Sequence, residues 1–254
     1  MRAAVGAEWI KFWSVRSTYW CLLGAGALMG MAALTLGGDA ATNGPKPFAA
    51  TQPVIDAAVV FSFGIAALAM LVVTAEYASG AIRPTLQAVP VRGRMLVAKA
   101  AVVAGVTGVA TAVGGLVTAV VVWAFLRLDP FDGAARLPSG EIAGDLAKLG
   151  LFGALIALLV VGVSFALRNA AGALTVVFLL LIGVPLVMAM TGSEALVAIS
   201  LRMPLFAGLT FMGSANNPAG EQLAYPAGEG LAWLAGWTVV ALAIGYAELR
   251  RRDA

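Results

Sequence analysis

The sequence predicts an all-α integral membrane protein with six transmembrane helices. Hydrophobic residues make up 61% of its 254 residues and charged residues only 11%, a composition that no water-soluble domain of this size carries. The mean hydropathy is +0.94. The apolar residues form six runs, each near the roughly 20 residues that a helix needs to cross a hydrocarbon core. We therefore expect a single transmembrane domain covering residues 1–254.

The leader, residues 1–18, is expected to form an interfacial helix that lies along the membrane surface. Apolar and aromatic side chains share one side of its helical wheel, and these are Trp9, Ile10, Phe12 and Trp13. The polar side holds Glu8, Lys11, Ser14 and Thr18. Arg16 is expected to reach the lipid headgroups. A signal peptide is the alternative, but the following run has span length and the leader carries aromatic residues and charges of both signs.

The six predicted spans are separated by loops of very different length. The spans are 19–38, 55–75, 100–126, 148–167, 171–191 and a short last one at 231–247. A polar loop at 76–99 follows the second span, and a long segment at 192–230 precedes the last span and the tail that ends at 254. Gly26 and Gly30 form a GxxxG pair that permits close helix packing. Pro185 predicts a kink in the fifth span, which serves either a gating motion or the fit of the bundle.

The segment 192–230 is more than a simple loop. Leu196, Ile199, Met203 and Phe206 recur at helical spacing, with Arg202 and Pro204 interrupting them. This pattern predicts a short re-entrant helix that enters the outer leaflet and returns, or else an amphipathic helix that lies on the outer surface. Both alternatives leave Arg202 near the headgroups.

The basic residues predict the orientation of the chain in the membrane. With the N-terminus placed in the cytoplasm, eleven of the 16 Lys and Arg residues fall on the cytoplasmic side and five on the outside. This excess favours a multi-pass cell-membrane protein with both termini cytoplasmic. Because the basic residues flank apolar runs and form no face of their own, we interpret them as topology signals and expect no nucleic-acid partner.

The loop 76–99 is the longest polar interruption near the middle of the chain. It carries Arg83, Arg92, Arg94 and Lys99 against the single acid Glu76. Within it, Ile82, Leu86 and Val89 are spaced at i, i+4 and i+7, which places them on one face of a short helix. We expect an apolar face of this kind in the cytoplasm to be buried by a second protein.

The sequence contains none of the common catalytic or nucleotide-binding motifs. No GxxxxGK[ST], GxSxG, HExxH or CxxC motif occurs, there is no histidine, and Cys21 is the single cysteine. We therefore expect no enzyme activity, no metal site and no cofactor. Charged residues fall near the ends of the predicted spans and not at their centres, which argues against an ion-coupled carrier. A bundle with these properties needs an external source of energy if it transports anything.

Two stretches and the six-span layout resemble a known family. The stretches are EWIKFWSVRSTYW at the N-terminus and EYASGAIRPTLQAVPVRGRMLVAK between the second and third spans. They look like the permease subunits of type 2 ABC exporters, particularly those of high-GC Gram-positive bacteria. The resemblance implies an N-terminal elbow helix, a coupling helix in the loop 76–99, and short re-entrant helices before the last span. It also implies a dimer of permeases, two ATPase subunits that bind the ATP, and export of a drug, peptide, lipid or glycan.

The resemblance assigns roles to residues of the loop. Ile82, Leu86 and Val89 would contact the ATPase, Arg83 and Arg94 would pair with its acids, and Gly80, Pro84 and Pro90 would set the turns. Contact with lipid headgroups is the alternative for the arginines, and an ion pair with the leader or a nearby basic residue is the alternative for Glu76. The sequence suits an amphipathic or lipid-like substrate, and it leaves a homodimer and a heterodimer equally open.

Two other classes of function compete with an exporter permease. One is a non-transporting membrane subunit, such as a sensor, an immunity protein or a scaffold. The other is a secondary transporter or channel that uses an ion gradient.

Overall fold

The computed structural model describes residues 1–44, 46–88, 91–128, 131, 133–137, 140–214 and 225–251, without the side chains of Leu86 and Ala88. The α-helices in these ranges are α1 (Arg2–Ser14), α2 (Arg16–Asn43), α3 (Gln52–Asp56), α4 (Ala58–Ala78), α5 (Ile82–Ala88), α6 (Arg92–Phe125), α7 (Ile142–Leu167), α8 (Ala170–Phe178), α9 (Val184–Met190), α10 (Glu194–Leu201), α11 (Pro204–Met212) and α12 (Ala227–Arg251). A π-helical segment, Leu179–Gly183, joins α8 to α9.

Within the described ranges, six helical stretches are long and apolar enough to cross a membrane, which confirms a multi-pass membrane protein. Five are the helices α2, α4, α6, α7 and α12, and the remaining one is the continuous stretch Ala170–Met190. Several helices exceed the predicted spans; α6 begins at Arg92 and not near residue 100, and α7 begins at Ile142 and not near residue 148. Hydropathy detects only the part of a helix that matches the hydrocarbon core, whereas the backbone hydrogen bonds continue into the polar turns beyond it.

Helix α7 is the most buried of the six and lies at the centre of the bundle, where α4, α6 and α12 pack against it. Glycines allow two of these contacts to be made backbone to backbone. A methyl group on Gly245 of α12 would lie 2.5 Å from the carbonyl oxygen of Gly162 of α7, and one on Gly150 would lie 2.9 Å from that of Gly108. The pair Gly26 and Gly30 of α2 faces open space within the described part of the chain. Close helix packing is thus made by glycines other than the predicted GxxxG pair.

The expected irregularity at Pro185 is a widened turn. The backbone N–H of Val184 donates to the carbonyl of Leu179, five residues back, as in a π-helix. Proline has no N–H to offer the carbonyl four residues before it, so a departure from α-helical bonding next to Pro185 is the expected local response.

The segment before the last helix contains two helices bent by 73° at Arg202 and Met203. Most residues of α11 are buried, and α11 packs against α12 and α7. This burial does not fit a helix lying on an outer surface, which was one of the two expectations for the segment. Arg202 sits at the bend, with its Nη2 3.2 Å from Glu229 Oε1 at the start of α12. Residues 215–224, which follow α11 within this segment, lie outside the described part.

Two loops at the same end of the bundle as α11 are joined by a short parallel strand pair. Strand β1 (Phe48–Ala49) pairs with β2 (Ala135–Arg136), an element that the sequence did not predict. At the opposite end, Glu8 of α1 and Leu249 of α12 both contact the start of α6. The first and last helices are therefore both attached to α6 at this end of the bundle.

Candidate functional site

Four charged side chains meet where α1, α4 and α6 converge, and we call them the charge cluster: Glu8, Lys11, Glu76 and Lys99. Lys99 Nζ lies 2.5 Å from Glu8 Oε2 and 3.0 Å from Glu76 Oε1. Lys11 Nζ lies 3.2 Å from Glu8 Oε1 and 3.2 Å from Glu76 Oε1. Two ammonium groups and two carboxylates thus bridge three helices.

Burial makes this pairing obligatory. The side chain of Lys99 is 2% exposed and that of Glu8 is 6% exposed. An isolated charge at such a position would lose its hydration without compensation, which costs several kcal/mol. Each buried charge instead faces groups of opposite sign, and the formal charge of the four side chains sums to zero.

Lys11 connects the charge cluster to α5. Its ammonium donates to Thr85 Oγ1 over 2.8 Å, and Thr85 lies in the middle of that short helix. Burial lowers the pKa of Lys11, but the carboxylates of Glu76 and Glu8 outweigh it, so the pKa is raised above its usual value. Lys11 therefore stays protonated at neutral pH and holds α5 against α1.

Glu76 has a second oxygen that these contacts leave unused. Glu76 Oε2 is buried and has no hydrogen-bond partner among the described residues. The ion pairs of Glu76 Oε1 with Lys11 and Lys99 confirm that Glu76 can bind the leader and a nearby basic residue, the alternative that the sequence left open. A buried acceptor without a donor is costly, so Glu76 contributes less to stability than its two ion pairs alone would suggest.

Helix α5 buries part of its apolar face inside the chain itself. Ile82 is 4% exposed and belongs to the hydrophobic core, so the expectation that a second protein must cover it is wrong for this residue. Gly80, with φ of +73°, forms the left-handed turn that separates α5 from α4. Arg83 and Gln87, one helical turn apart, are exposed. The Leu86 side chain and Val89, the other two apolar residues of the predicted stripe, lie outside the described part.

The other two arginines of the loop, Arg92 and Arg94, have different environments. Arg94 is exposed on the first turn of α6. Arg92 Nη1 donates to the carbonyl oxygens of Leu249 and Arg250 at 2.7 and 3.0 Å. A cation at the last carbonyls of a helix stabilises its C-terminus. Arg92 therefore fastens the end of α12 to the start of α6.

The aromatic residues of α1 do not all share one environment. Trp9 is 50% exposed, whereas Phe12 is 3% exposed and packs into the core. Trp13 lies between them, with ring centroids 5.8 Å from Trp9 and 5.3 Å from Phe12, and Arg16 is exposed. The sequence predicted an apolar side of α1 with Phe12 and a separate polar side with Glu8. This prediction is wrong for Phe12, because the buried face of α1 contains both residues. The helical wheel did not reveal that the polar edge of α1 faces the bundle.

A cavity of about 290 Å³ opens beside the charge cluster, between α1, the start of α2 and the end of α4. A second cavity of about 240 Å³ lies on the other side of Lys11, next to Thr85 and Met95. Among the described residues, no three His, Cys, Asp or Glu side chains are arranged to hold a metal ion. The chemistry available here is ion pairing and hydrogen bonding.

Comparison with known proteins does not assign the chain to a protein family. Its sequence matches no model of a known protein family, and no curated protein is detectably similar to it. The function of the chain must therefore be inferred from its geometry and from its sequence.

Proposed function

We propose that this chain is the membrane-spanning permease subunit of an ATP-driven ABC exporter. The observation that carries the proposal is the arrangement of α5, a short helix between the second and third membrane helices. Its inner side is fixed by buried Ile82 and by the bond between Lys11 and Thr85, while Arg83 and Gln87 point outward. A separate ATPase subunit would dock on the outward side, with Arg83 and Arg94 facing its acidic residues.

The charge cluster would transmit movement of this docking surface to the membrane helices. A push on α5 acts through Thr85 on Lys11, and Lys11 shares the carboxylates of Glu8 and Glu76 with Lys99. Movement of α5 is therefore opposed by contacts to α1, α4 and α6 together. A close-packed and ion-paired contact region of this kind moves as one rigid unit and is not deformed locally.

The rest of the assembly follows from the same proposal. The loop 76–99 and both termini would face the cytoplasm, with the exposed tryptophan of α1 at the membrane interface. The helices α10 and α11 would form a re-entrant pair on the outer side. Exposed valines at every fourth position of α6, namely Val109, Val113, Val117 and Val121, offer an apolar ridge for a second permease copy, a paralogue or membrane lipid. The exported compound would be amphipathic or lipid-like.

Co-purification from the native host tests the proposal. The tagged chain would be extracted in a mild detergent, its partners identified, and ATP hydrolysis measured. We expect a P-loop protein in roughly equimolar amount, and we expect Arg83→Glu to remove both that protein and the ATPase activity. Arg136→Glu, an exposed arginine in the strand pair at the opposite end, is the matched control and should retain both. A chain that purifies well without any nucleotide-binding partner would overturn the proposal.

A further inference from the structure

The cavity of about 240 Å³ beside Lys11 is a surface hollow between α1, α5 and α6, and we call it the α5 cavity. Ala7 of α1 and Pro84 of α5 are exposed at its rim, and the buried Met95 and Ala98 of α6 close its base. An apolar cavity of roughly 150 Å³ takes up a benzene molecule. The α5 cavity therefore has room for one large apolar side chain.

The charged residues that line the α5 cavity are already occupied. Each carboxylate oxygen of Glu8 accepts a hydrogen bond from a lysine, and all three donors of Lys11 are used. Neither residue needs a further partner. A side chain that enters the cavity instead meets the methyl groups of the α1 alanines, the ring of Pro84 and the stem of Lys11, which is 42% exposed.

Helix α1 places the α5 cavity on the side away from its exposed aromatic residues. Ala4, Ala7 and Lys11 recur at i, i+3 and i+7, so they share the edge of α1 that lines the cavity. Ala7 and the exposed Trp9 are two residues apart, which at about 100° per residue puts them about 160° apart around the helix. Tryptophan favours the membrane–water interface, so the cavity opens toward the aqueous side.

The exposed charges beside the α5 cavity are basic. Arg83 directly precedes Pro84 in α5, and Arg94 lies one turn before Ala98 on the same face of α6. Both arginines are exposed, and neither side chain forms an ion pair or a hydrogen bond with a described residue. A partner that covers the cavity therefore buries apolar surface at its centre and meets two cations at its edge.

We propose that the α5 cavity receives one large apolar side chain of the ATPase subunit, from a segment whose carboxylates pair with Arg83 and Arg94. The inference rests on the proposed exporter function and adds the chemistry of the partner's docking segment. A central apolar side chain within a polar rim carries much of the affinity in protein interfaces. Anionic lipid headgroups would also attract the arginines, but they have no apolar group on the aqueous side to fill the cavity.

Filling the cavity from within the chain tests the inference. Ala7→Phe adds a ring at the rim without changing a charge, and Ala78→Phe adds the same ring at an exposed alanine of α4 that does not line the cavity. Tagged chains would be purified from the native host, and the amount of ATPase per chain would be measured. We expect Ala7→Phe to lower it by about tenfold or more and Ala78→Phe to match the wild type. Equal amounts in Ala7→Phe and the wild type, or equal losses in both variants, would overturn the inference.

Arg83→Glu separates the two ways in which this experiment can fail. If Arg83→Glu loses the ATPase while Ala7→Phe retains it, the exporter proposal stands and the cavity inference is overturned. If the wild-type chain retains no ATPase, both are overturned. The ATPase itself should carry an exposed apolar residue with Asp or Glu within four positions, and its replacement by alanine should weaken binding by about tenfold or more. Unchanged binding after each such replacement would also contradict the inference.

Protection of a cysteine in the cavity gives a readout that does not depend on the stability of Ala7→Phe. In the Cys21→Ser background, Ala4→Cys places a thiol in the cavity and Ala78→Cys places one outside it. A small water-soluble maleimide would be applied to opened native membranes with and without the ATPase subunit. The Ala4→Cys thiol should react about tenfold or more slowly when the ATPase is present, whereas the Ala78→Cys thiol should react equally in both. Equal rates for Ala4→Cys would exclude the ATPase as the occupant, and slow reaction in both membranes would indicate lipid instead.

Discussion

Lys99 and Glu8, 91 residues apart in the chain, form a buried ion pair in which Nζ and Oε2 are 2.5 Å apart. The pair joins the leader helix α1 to the start of α6 at the end of the bundle where α5 lies. It is the least exposed of the ion pairs among the described residues. Together with the ion pair between Lys11 and Glu76 and the burial of Phe12, this contact makes α1 a part of the bundle, where the sequence had indicated a helix resting on the membrane.

Breaking this pair should destabilise the protein strongly. Lys99→Met leaves the carboxylate of Glu8 buried with only Lys11 to neutralise it, so we expect a loss of about 3–5 kcal/mol in the free energy of unfolding. Thermal unfolding in detergent would measure the effect. The double variant Glu8→Gln with Lys99→Met should be less destabilised than the sum of the two single variants, because no unpaired charge remains on either side. Additive losses would mean that the two side chains do not interact.

Above neutral pH, the stabilising contribution of Lys11 should persist until the pH is strongly alkaline. Burial lowers the pKa of Lys11, but the combined attraction of Glu76 and Glu8 outweighs burial and raises the pKa above the usual 10.5. A raised pKa in the folded state gives stabilisation that is complete below the unfolded pKa and is lost as the pH rises through the folded pKa. The difference in melting temperature between wild type and Lys11→Met should therefore stay constant between about pH 7 and 9 and shrink above about pH 10.5. A difference that shrinks between pH 7 and 9 would show that Lys11 is not paired as described.

Glycine at the crossing of α7 and α12 should be required for packing. The methyl group of Gly245→Ala would fall 2.5 Å from the carbonyl oxygen of Gly162, which forces the backbones apart. We expect a loss of about 1–3 kcal/mol, the usual cost of overpacking. Gly236→Ala on the same helix is the matched control, since its methyl group would meet open space. That control should be neutral or gain up to about 1 kcal/mol, from the lower backbone entropy of alanine in the unfolded chain.

The orientation of the bundle can be tested with single cysteines. Replacing the half-buried Cys21 by serine leaves a chain without cysteine, into which Asn43→Cys or Gln87→Cys can be introduced at exposed positions. If both termini are cytoplasmic, a membrane-impermeant maleimide should label Cys at 43 in intact cells. It should label Cys at 87 only after the membrane is opened. The reverse pattern would invert the topology and remove α5 from the reach of a cytoplasmic ATPase.

The helices were predictable from the sequence because membrane spans are marked by composition. Each of the six predicted runs lies largely within a helix that is long enough to cross a membrane. The ends of the helices were predicted less accurately. The first turns of α6, for example, contain Arg92 and Arg94 and therefore have no hydropathy signal. The parallel pair of Phe48–Ala49 with Ala135–Arg136 was missed because a two-residue strand leaves no periodic pattern.

The charge cluster was only partly predictable. The sequence suggested that Glu76 pairs with the leader or a nearby base, and Lys11 and Lys99 fill these roles. It did not connect Glu8 with Lys99, since no spacing rule relates residues in helices that are distant in sequence. Periodicity found the apolar face that contains Ile82, but the period of a helix does not tell whether its own chain or a partner covers that face.

Cross-linking from α5 in native membranes is the direct test of whether this helix docks an ATPase subunit. The chain with Cys21→Ser and Gln87→Cys, expressed in its own host, would be treated with a short thiol-to-amine cross-linker, and the captured proteins would be identified. We expect capture of a P-loop ATPase from position 87 and none from the control Asn43→Cys at the other end of the bundle. An intact, well-expressed chain that captures no nucleotide-binding protein from position 87 would contradict the assignment of α5 as the docking helix of an exporter.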